Sequence, residues 1–176
     1  SPYDNLPEAH FAMAQAAANA DDNLRALNET EKALQLRPDW ETAALARAQL
    51  QARQSSQTAI DSLHGFVDRY PTARDARLAL ARLLISEKRY NEARPHFDHL
   101  IKENPENPDV IYPVAMLALQ QGDTTTGRNQ LENLLNTDFP DKSTIHFFLG
   151  QLDQEQKKPD GALEHYRQVT TGEQYM

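Results

Sequence analysis

Apolar and polar residues alternate along the chain with the period of an amphipathic helix. Between residues 77 and 85, apolar side chains recur at positions i, i+3, i+4 and i+7, which places them on one face of a helix. A polar stretch at residues 86–90 interrupts the pattern, and Ala93, Phe97 and Leu100 then form a second apolar face. Pro105 follows, and proline cannot continue a helix. The segment therefore predicts two helices joined by a short turn.

This two-helix pattern recurs with a period near 34 residues. Four prolines follow it at intervals of 33 to 35 residues: Pro38, Pro71, Pro105 and Pro140. Small residues early in each second helix follow it as well: Ala26, Ala59, Ala93, Gly127 and Ala162. A third series lies about a dozen residues earlier: Ala14, Ala46, Ala81, Ala115 and Gly150. Three registers with one period predict a single helical-repeat array over residues 1–176, with approximate repeats at 7–38, 39–72, 73–106, 107–141 and 142–175.

The composition agrees with an all-α chain and disfavours nucleic acid as a partner and a membrane-spanning segment. Only 6 of 176 residues are Gly, and alternating runs typical of strands are absent. The formal net charge is −8, and no Lys/Arg-rich stripe occurs. Nucleic-acid binding gains most of its affinity from phosphate neutralisation, so this charge disfavours it. No apolar run approaches the ~18 residues that a membrane span needs.

The sequence offers little for catalysis or metal binding. With no Cys, thiolate metal sites are excluded. His96 and His99 can share a helix face, but two ligands alone do not make a zinc site. Nucleophile motifs and glycine-rich phosphate loops are also absent. We therefore expect no enzyme activity, no cofactor and no metal.

The repeat resembles the tetratricopeptide signature. The matching residues of the third repeat are Leu80, Ala81 and Leu84, then Ala93 and Phe97, then Pro105. Those of the first and last repeats are Met13, Ala14, Ala17, Ala26, Thr30 and Pro38, and Leu149, Gly150, Ala162 and Tyr166. The resemblance implies a right-handed superhelical solenoid of about five helix–turn–helix repeats. His10, Arg77 and His146 stand where the family prefers a large aromatic residue, and the second repeat needs a one-residue shift between its helices.

In such a solenoid the first helix of each repeat lines a concave face. Projecting the repeat register onto that face gives a candidate peptide-binding groove of Phe11, Trp40, Arg47, Leu78, Arg82, Tyr112, Met116, Leu119, Phe147, Phe148 and Gln151. Aromatic and Met side chains are typical of adaptable binding surfaces, although a stripe of them is also typical of a core. The case for a surface is strongest for Tyr112, Met116 and Phe147, because their sequence neighbours already supply the packing positions.

These features predict a non-catalytic scaffold or adaptor that binds a partner polypeptide. The Lys/Asn/Arg clamp with which chaperone-binding members hold a C-terminal carboxylate is not reproduced, since the corresponding faces offer Gln15, Arg47 and Arg82. Residues 34–40 and 66–71 resemble bacterial cell-envelope tetratricopeptide lipoproteins. That resemblance implies a periplasmic or outer-membrane-associated protein that assists envelope assembly or recruits a periplasmic enzyme. A cytoplasmic adaptor and a self-assembly module stay open as alternatives.

Two local features complete the sequence-based predictions. Pro113 lies one turn inside its helix, where the lost hydrogen bond either splays Ile111 and Tyr112 outward or has a minor effect. At the other end, Leu163 lies on a final helix with no following helix to cover it, and residues 170–176 do not resemble a cap. We therefore expect a longer array, and weak homodimerisation through exposed array ends.

Overall fold

The computed structural model describes residues 5–169, which form ten α-helices and no strand. In chain order the helices are α1 (Pro7–Asn19), α2 (Asn23–Leu36), α3 (Glu41–Ala52), α4 (Ser56–Arg69), α5 (Arg74–Ser86), α6 (Tyr90–Glu103), α7 (Pro108–Gln120), α8 (Thr124–Leu135), α9 (Lys142–Glu155) and α10 (Pro159–Arg167). They follow one another as five pairs. The all-α prediction is confirmed.

The turn inside each pair is short because one residue reverses the chain. Asp21, Lys88, Gly122 and Lys157 take positive φ angles of 57°, 60°, 80° and 58° at equivalent places in four of the five pairs. A capping side chain follows some of these turns. Asp22 accepts a hydrogen bond from the backbone N–H of Arg25 at 3.1 Å, which satisfies one of the free donors that begin α2.

The predicted small-residue registers are buried, with one exception. On the second helices, all five members are buried: Ala26, Ala59, Ala93, Gly127 and Ala162. On the first helices, Ala46 is only half-buried, whereas Ala44 and Ala48 are buried in its place. Helix α3 has 12 residues where α1, α5 and α7 have 13. Because α3 is also rich in alanine, its small residues did not reveal which of them faces the core.

By their internal contacts, the helices divide into two compact units, residues 1–96 and residues 97–176, with the boundary inside α6. The first unit contains α1 to α5. In the second unit the core is built from α7, α8 and α9, and its fully buried members include Ile111, Leu131, Ile145 and Leu149.

Pro113 does not interrupt its helix. Helix α7 continues through Pro113 to Gln120, and Ile111 is fully buried in the core of the second unit. Of the two alternatives for Pro113, the outward splaying of Ile111 is therefore wrong, because packing against α8 and α9 outweighs the loss of one backbone hydrogen bond.

Candidate functional site

Two cavities lie along the first helices of residues 1–96. One of about 450 Å³ opens between α1, α2 and α3, and its polar lining comes from Gln15, Asn19, Thr30, Gln49 and Arg53. The other, of about 330 Å³, lies between α3, α4 and α5. Its lining includes Leu45, Gln49, Leu83, Arg82 and Ser86. Because Gln49 lines both, we treat them as one surface, the α1/α3/α5 groove.

Several predicted groove residues lie in or beside this groove. Arg82 lines it and is exposed. Phe11 lines it too, but its side chain is buried, and its ring packs against the Trp40 ring with centroids 4.8 Å apart. Trp40 is half-buried beneath the Arg37 guanidinium, at 4.8 Å. Leu78 is half-buried on α5. The aromatic pair therefore anchors α1 to the start of α3 and supports the groove more than it lines it.

The structure corrects the position of Arg47. Its side chain lies 3.5 Å from Glu31 of α2 and lines a different cavity, between α2 and α4. Leu45 and Gln49 take the groove positions on α3 instead. The reason is the rotational phase of α3, which the projection set from Ala46 rather than from Ala48. The repeat period was the signal that could have given the correct phase, because Ala48 lies 34 residues after Ala14 and 33 before Ala81.

Most predicted residues in the second unit have a packing role. Tyr112 stacks on Phe139 with centroids 5.3 Å apart, and Met116 and Phe148 are half-buried against the same core. Leu119 packs against Gly127, where an added Cβ would lie 2.3 Å from Leu119 Cδ2.

By contrast, Phe147 is 43 % exposed and Gln151 is also exposed. Of the three residues for which a surface was best supported, Phe147 is accessible, and Tyr112 and Met116 are partly covered. Whether any of them binds a partner stays a prediction.

Sequence reasoning missed a set of polar pairs inside the repeats. Each residue that departs from the family's aromatic preference faces a polar side chain 19 residues later, on the second helix of its pair. The pairs are His10–Glu29 at 2.6 Å, Arg77–His96 at 3.4 Å and His146–His165 at 3.0 Å. A polar replacement matched by a second polar residue at this spacing is a signal that the sequence contains.

The first of these pairs is buried beside a lysine. Glu29 accepts hydrogen bonds from Lys32 at 2.8 Å and shares one with His10 at 2.6 Å. The Lys32 bond, followed by the His10 bond, holds the pKa of the Glu29 carboxyl below its usual range. Both oxygens of this carboxylate are therefore occupied, which favours a structural role for Glu29 over a catalytic one.

The last pair belongs to a larger buried cluster. His165 Nε2 lies 3.7 Å from Asp153 Oδ2, and Arg128 Nη2 donates to Asp153 Oδ1 at 2.6 Å. Burial, and then the neighbouring His165, lower the pKa of His146. The Nδ1 atoms of His146 and His165 are 3.0 Å apart, so only one of them can carry a proton without breaking their hydrogen bond.

The stability of the chain should therefore fall as the solution becomes acidic. Because the folded pKa of His146 lies below its unfolded value of about 6.5, the unfolded chain takes up the proton first. The stability that the neutral His146 contributes is fully present above pH ~6.5 and is lost as the pH falls through the folded pKa. Urea unfolding should therefore give a lower free energy of unfolding at pH 5 than at pH 7, and His146→Phe should reduce that difference. An exposed control, His64→Gln, should leave it unchanged; equal slopes for both variants would contradict the assignment.

Across residues 5–169, no three His, Cys, Asp or Glu side chains converge as metal ligands would. His96 faces Arg77, while His99 Nε2 lies 3.4 Å from Glu103. Within the same residues, every helix is too short or too polar to cross a membrane.

The sequence profile of the tetratricopeptide repeat family matches residues 51–117 and 84–152. Together these matches cover more than half of the chain, which therefore belongs to the tetratricopeptide repeat family. No curated protein is detectably similar to the chain in sequence.

Solved structures agree on the fold. The crystal structure of MamA superposes with a TM-score of 0.78 at 16 % identity, over 93 % of this chain and 89 % of that one. MamA from Desulfovibrio magneticus RS-1 gives 0.77 at 15 %, over 93 % and 92 %. YrrB, described as a TPR protein with an unusual peptide-binding site, gives 0.71 at 17 %, over 92 % and 83 %. The chain has the all-α solenoid fold of these proteins, whose family generally forms non-catalytic protein-interaction modules.

Proposed function

We propose that the chain is a non-catalytic adaptor that binds an extended segment of a partner protein in the α1/α3/α5 groove. The observation that carries this proposal is the position of Gln49, which lines both cavities and so lies where they adjoin. A continuous groove over three neighbouring first helices suits a linear ligand better than a compact one.

The chemistry of the groove also suits a peptide backbone. Gln15, Asn19 and Gln49 each offer one amide acceptor and two amide donors. An extended peptide presents N–H and C=O groups that such side chains can satisfy whatever the ligand's own side chains are. The apolar stretch of Ala18 and Leu50 between them covers the remaining ligand surface. The peptide-binding site named for YrrB supports the same kind of function here.

Filling the groove should weaken peptide binding. Peptides selected from a random displayed library should bind the wild-type chain and lose at least about tenfold in affinity for Gln49→Trp, because the indole occupies the junction of the two cavities. Gln35→Trp makes the same change at an exposed position on α2, away from this groove, and should bind as the wild type does. Equal binding to both variants would count against the proposal. So would a library selection in which no peptide binds the wild-type chain better than the Gln49→Trp variant.

For the biological role we propose recruitment of a partner in the bacterial envelope, in the periplasm or at the outer membrane. The support is the resemblance of residues 34–40 and 66–71 to envelope lipoproteins, and a cytoplasmic adaptor is the alternative. Self-association is a second candidate function, favoured by the exposure of Leu163 (51 %) and Phe147 (43 %) on α10 and α9. The tail at residues 170–176, on which the prediction of a longer array also depended, lies outside the described residues.

A further inference from the structure

We propose that the segment bound in the α1/α3/α5 groove is held by one bulky, uncharged apolar side chain, which enters the cavity between α3, α4 and α5. We call this cavity the anchor pocket. The inference rests on the proposed function, which it deepens by specifying the side chain that the ligand must carry. Its starting point is the difference in chemistry between the two cavities of the groove.

The anchor pocket is apolar at its base and along its walls. Leu63 of α4 and Ala48 of α3 form the base, with 2 % and 5 % exposure. The walls are half-buried apolar side chains of α3 and α5: Leu45, Ala52, Ala79 and Leu83. Gln49 and Ser86, which are polar and exposed, lie at the opening. A volume of about 330 Å³ with apolar walls and a few polar groups is typical of a ligand pocket.

The charges around the anchor pocket favour an uncharged side chain. Of the described residues that line it, none is acidic, and Arg82 is the single charged member. Arg82 is exposed and already has an interaction within the chain. A ligand ammonium or carboxylate that reached Leu63 would therefore lose its hydration without gaining a partner at the base of the pocket. An apolar side chain pays no such cost.

The size of the anchor pocket comes from alanines on two facing helices. Ala48 and Ala52 of α3 and Ala79 of α5 stand where leucine-sized side chains would fill the space. Protein interiors contain few voids larger than a water molecule, so this opening is apolar surface that the chain itself leaves uncovered. A ligand that covers it removes that surface from water. Leucine, methionine and phenylalanine are long enough to reach the base, whereas the methyl group of alanine would leave most of the space unfilled.

The neighbouring cavity explains why a single anchor is enough. Gln15 and Asn19 line that cavity and Gln49 lines both, so amide groups for the ligand backbone continue up to the edge of the anchor pocket. Successive side chains of an extended peptide point to opposite sides. When one side chain enters the pocket, its two neighbours therefore point away from the groove. The ligand needs one apolar residue within a segment whose adjacent positions are unrestricted.

The test uses short peptides of glycine and serine, with blocked termini, the same fluorescent label and one variable central residue. The central residue is leucine, phenylalanine, alanine, serine, lysine or glutamate. Fluorescence anisotropy should give a Kd at least about tenfold lower for the leucine peptide than for the alanine peptide. The serine, lysine and glutamate peptides should bind no better than the alanine peptide. Increasing salt should leave the preference for leucine unchanged, because it involves no ion pair.

Variants of the pocket assign this preference to its walls. Ala79→Leu fills the pocket and should weaken the leucine peptide about tenfold, with little effect on the serine peptide. Ala16→Leu is the matched control, since Ala16 is exposed on another first helix and lines neither cavity. Leu83→Ala enlarges the pocket and should shift the preference from leucine towards phenylalanine. A change of preference, unlike a loss of binding, cannot result from impaired folding.

The outcomes separate this inference from the proposed function. Equal affinity of the wild-type chain for the leucine and serine peptides, or equal effects of Ala79→Leu and Ala16→Leu, would overturn the inference. If library-selected peptides lose binding with Gln49→Trp but keep it with Ala79→Leu, the groove binds peptides without using the anchor pocket. If Gln49→Trp also leaves binding unchanged, the proposed function is wrong as well.

Discussion

Replacing Arg128 with methionine should lower the free energy of unfolding by about 3–5 kcal/mol, since it leaves a buried carboxylate without its main partner. Arg128 Nη2 lies 2.6 Å from Asp153 Oδ1, and the Asp153 side chain is only 7 % exposed. The other neighbouring base, His165, is 3.7 Å from the second carboxylate oxygen, which is too far for a strong hydrogen bond. Chemical denaturation at pH 7 measures the loss directly.

Two further variants show whether the buried charge is the cause. Glu132→Gln removes the other carboxylate near Arg128, which lies at 3.6 Å and is 52 % exposed; it should cost less than about 0.5 kcal/mol. Combining Arg128→Met with Asp153→Leu removes both charges and should restore most of the lost stability. A double variant no more stable than Arg128→Met alone would show that packing around Arg128, rather than the unpaired charge, dominates.

The fold could be predicted from the sequence because three separate series of residues follow the same repeat period. The proline series follows the first four pairs of helices, and the two small-residue series bring the helices of a pair together. Each register depends on local rules of backbone geometry and close packing, which hold wherever the unit lies. Of the first-helix series, only the member at Ala46 failed to give the buried position.

The candidate site was predictable only in part. The rotational phase of each first helix decides which of its side chains face the groove. Helix α5 has a clear apolar face, so Arg82 was placed correctly. Helix α3 contains five alanines among its 12 residues, and these do not distinguish one face from another. A projection from Ala46 therefore selected Arg47 and missed Gln49 and Arg53.

Exposure in the second unit depended on residues outside the repeat pattern. Phe139 lies between α8 and α9, where the register assigns no packing role, yet its ring stacks on Tyr112. Helical periodicity cannot reveal a contact made by a loop residue. The sequence could therefore place Tyr112 on a first helix. It could not show that the ring of Phe139 would cover Tyr112.

Gly150→Ala should destabilise the chain by about 1–3 kcal/mol, although alanine favours helices more than glycine does. Gly150 lies in α9 directly against the Tyr166 ring of α10. A Cβ there would be 2.6 Å from Tyr166 Cε1 and 2.8 Å from Cδ1. The ring cannot move freely, because it packs beside Phe147 and its hydroxyl donates to Gln154 Oε1 at 3.0 Å. The helices must separate or the ring must leave its site.

The matched control is Gly65→Ala on the exposed side of α4. An added Cβ at Gly65 meets nothing within 4 Å, so this variant keeps only the gain in helix propensity and should stabilise the chain by about 0.5–1 kcal/mol. Thermal and urea unfolding should therefore move in opposite directions for the same chemical change at two helical positions. Tyr166→Leu should also reduce the cost of Gly150→Ala, because the smaller side chain leaves room for the methyl group. If both alanine variants stabilise the chain, the close approach of α9 and α10 at Gly150 is not needed for the last pair to pack.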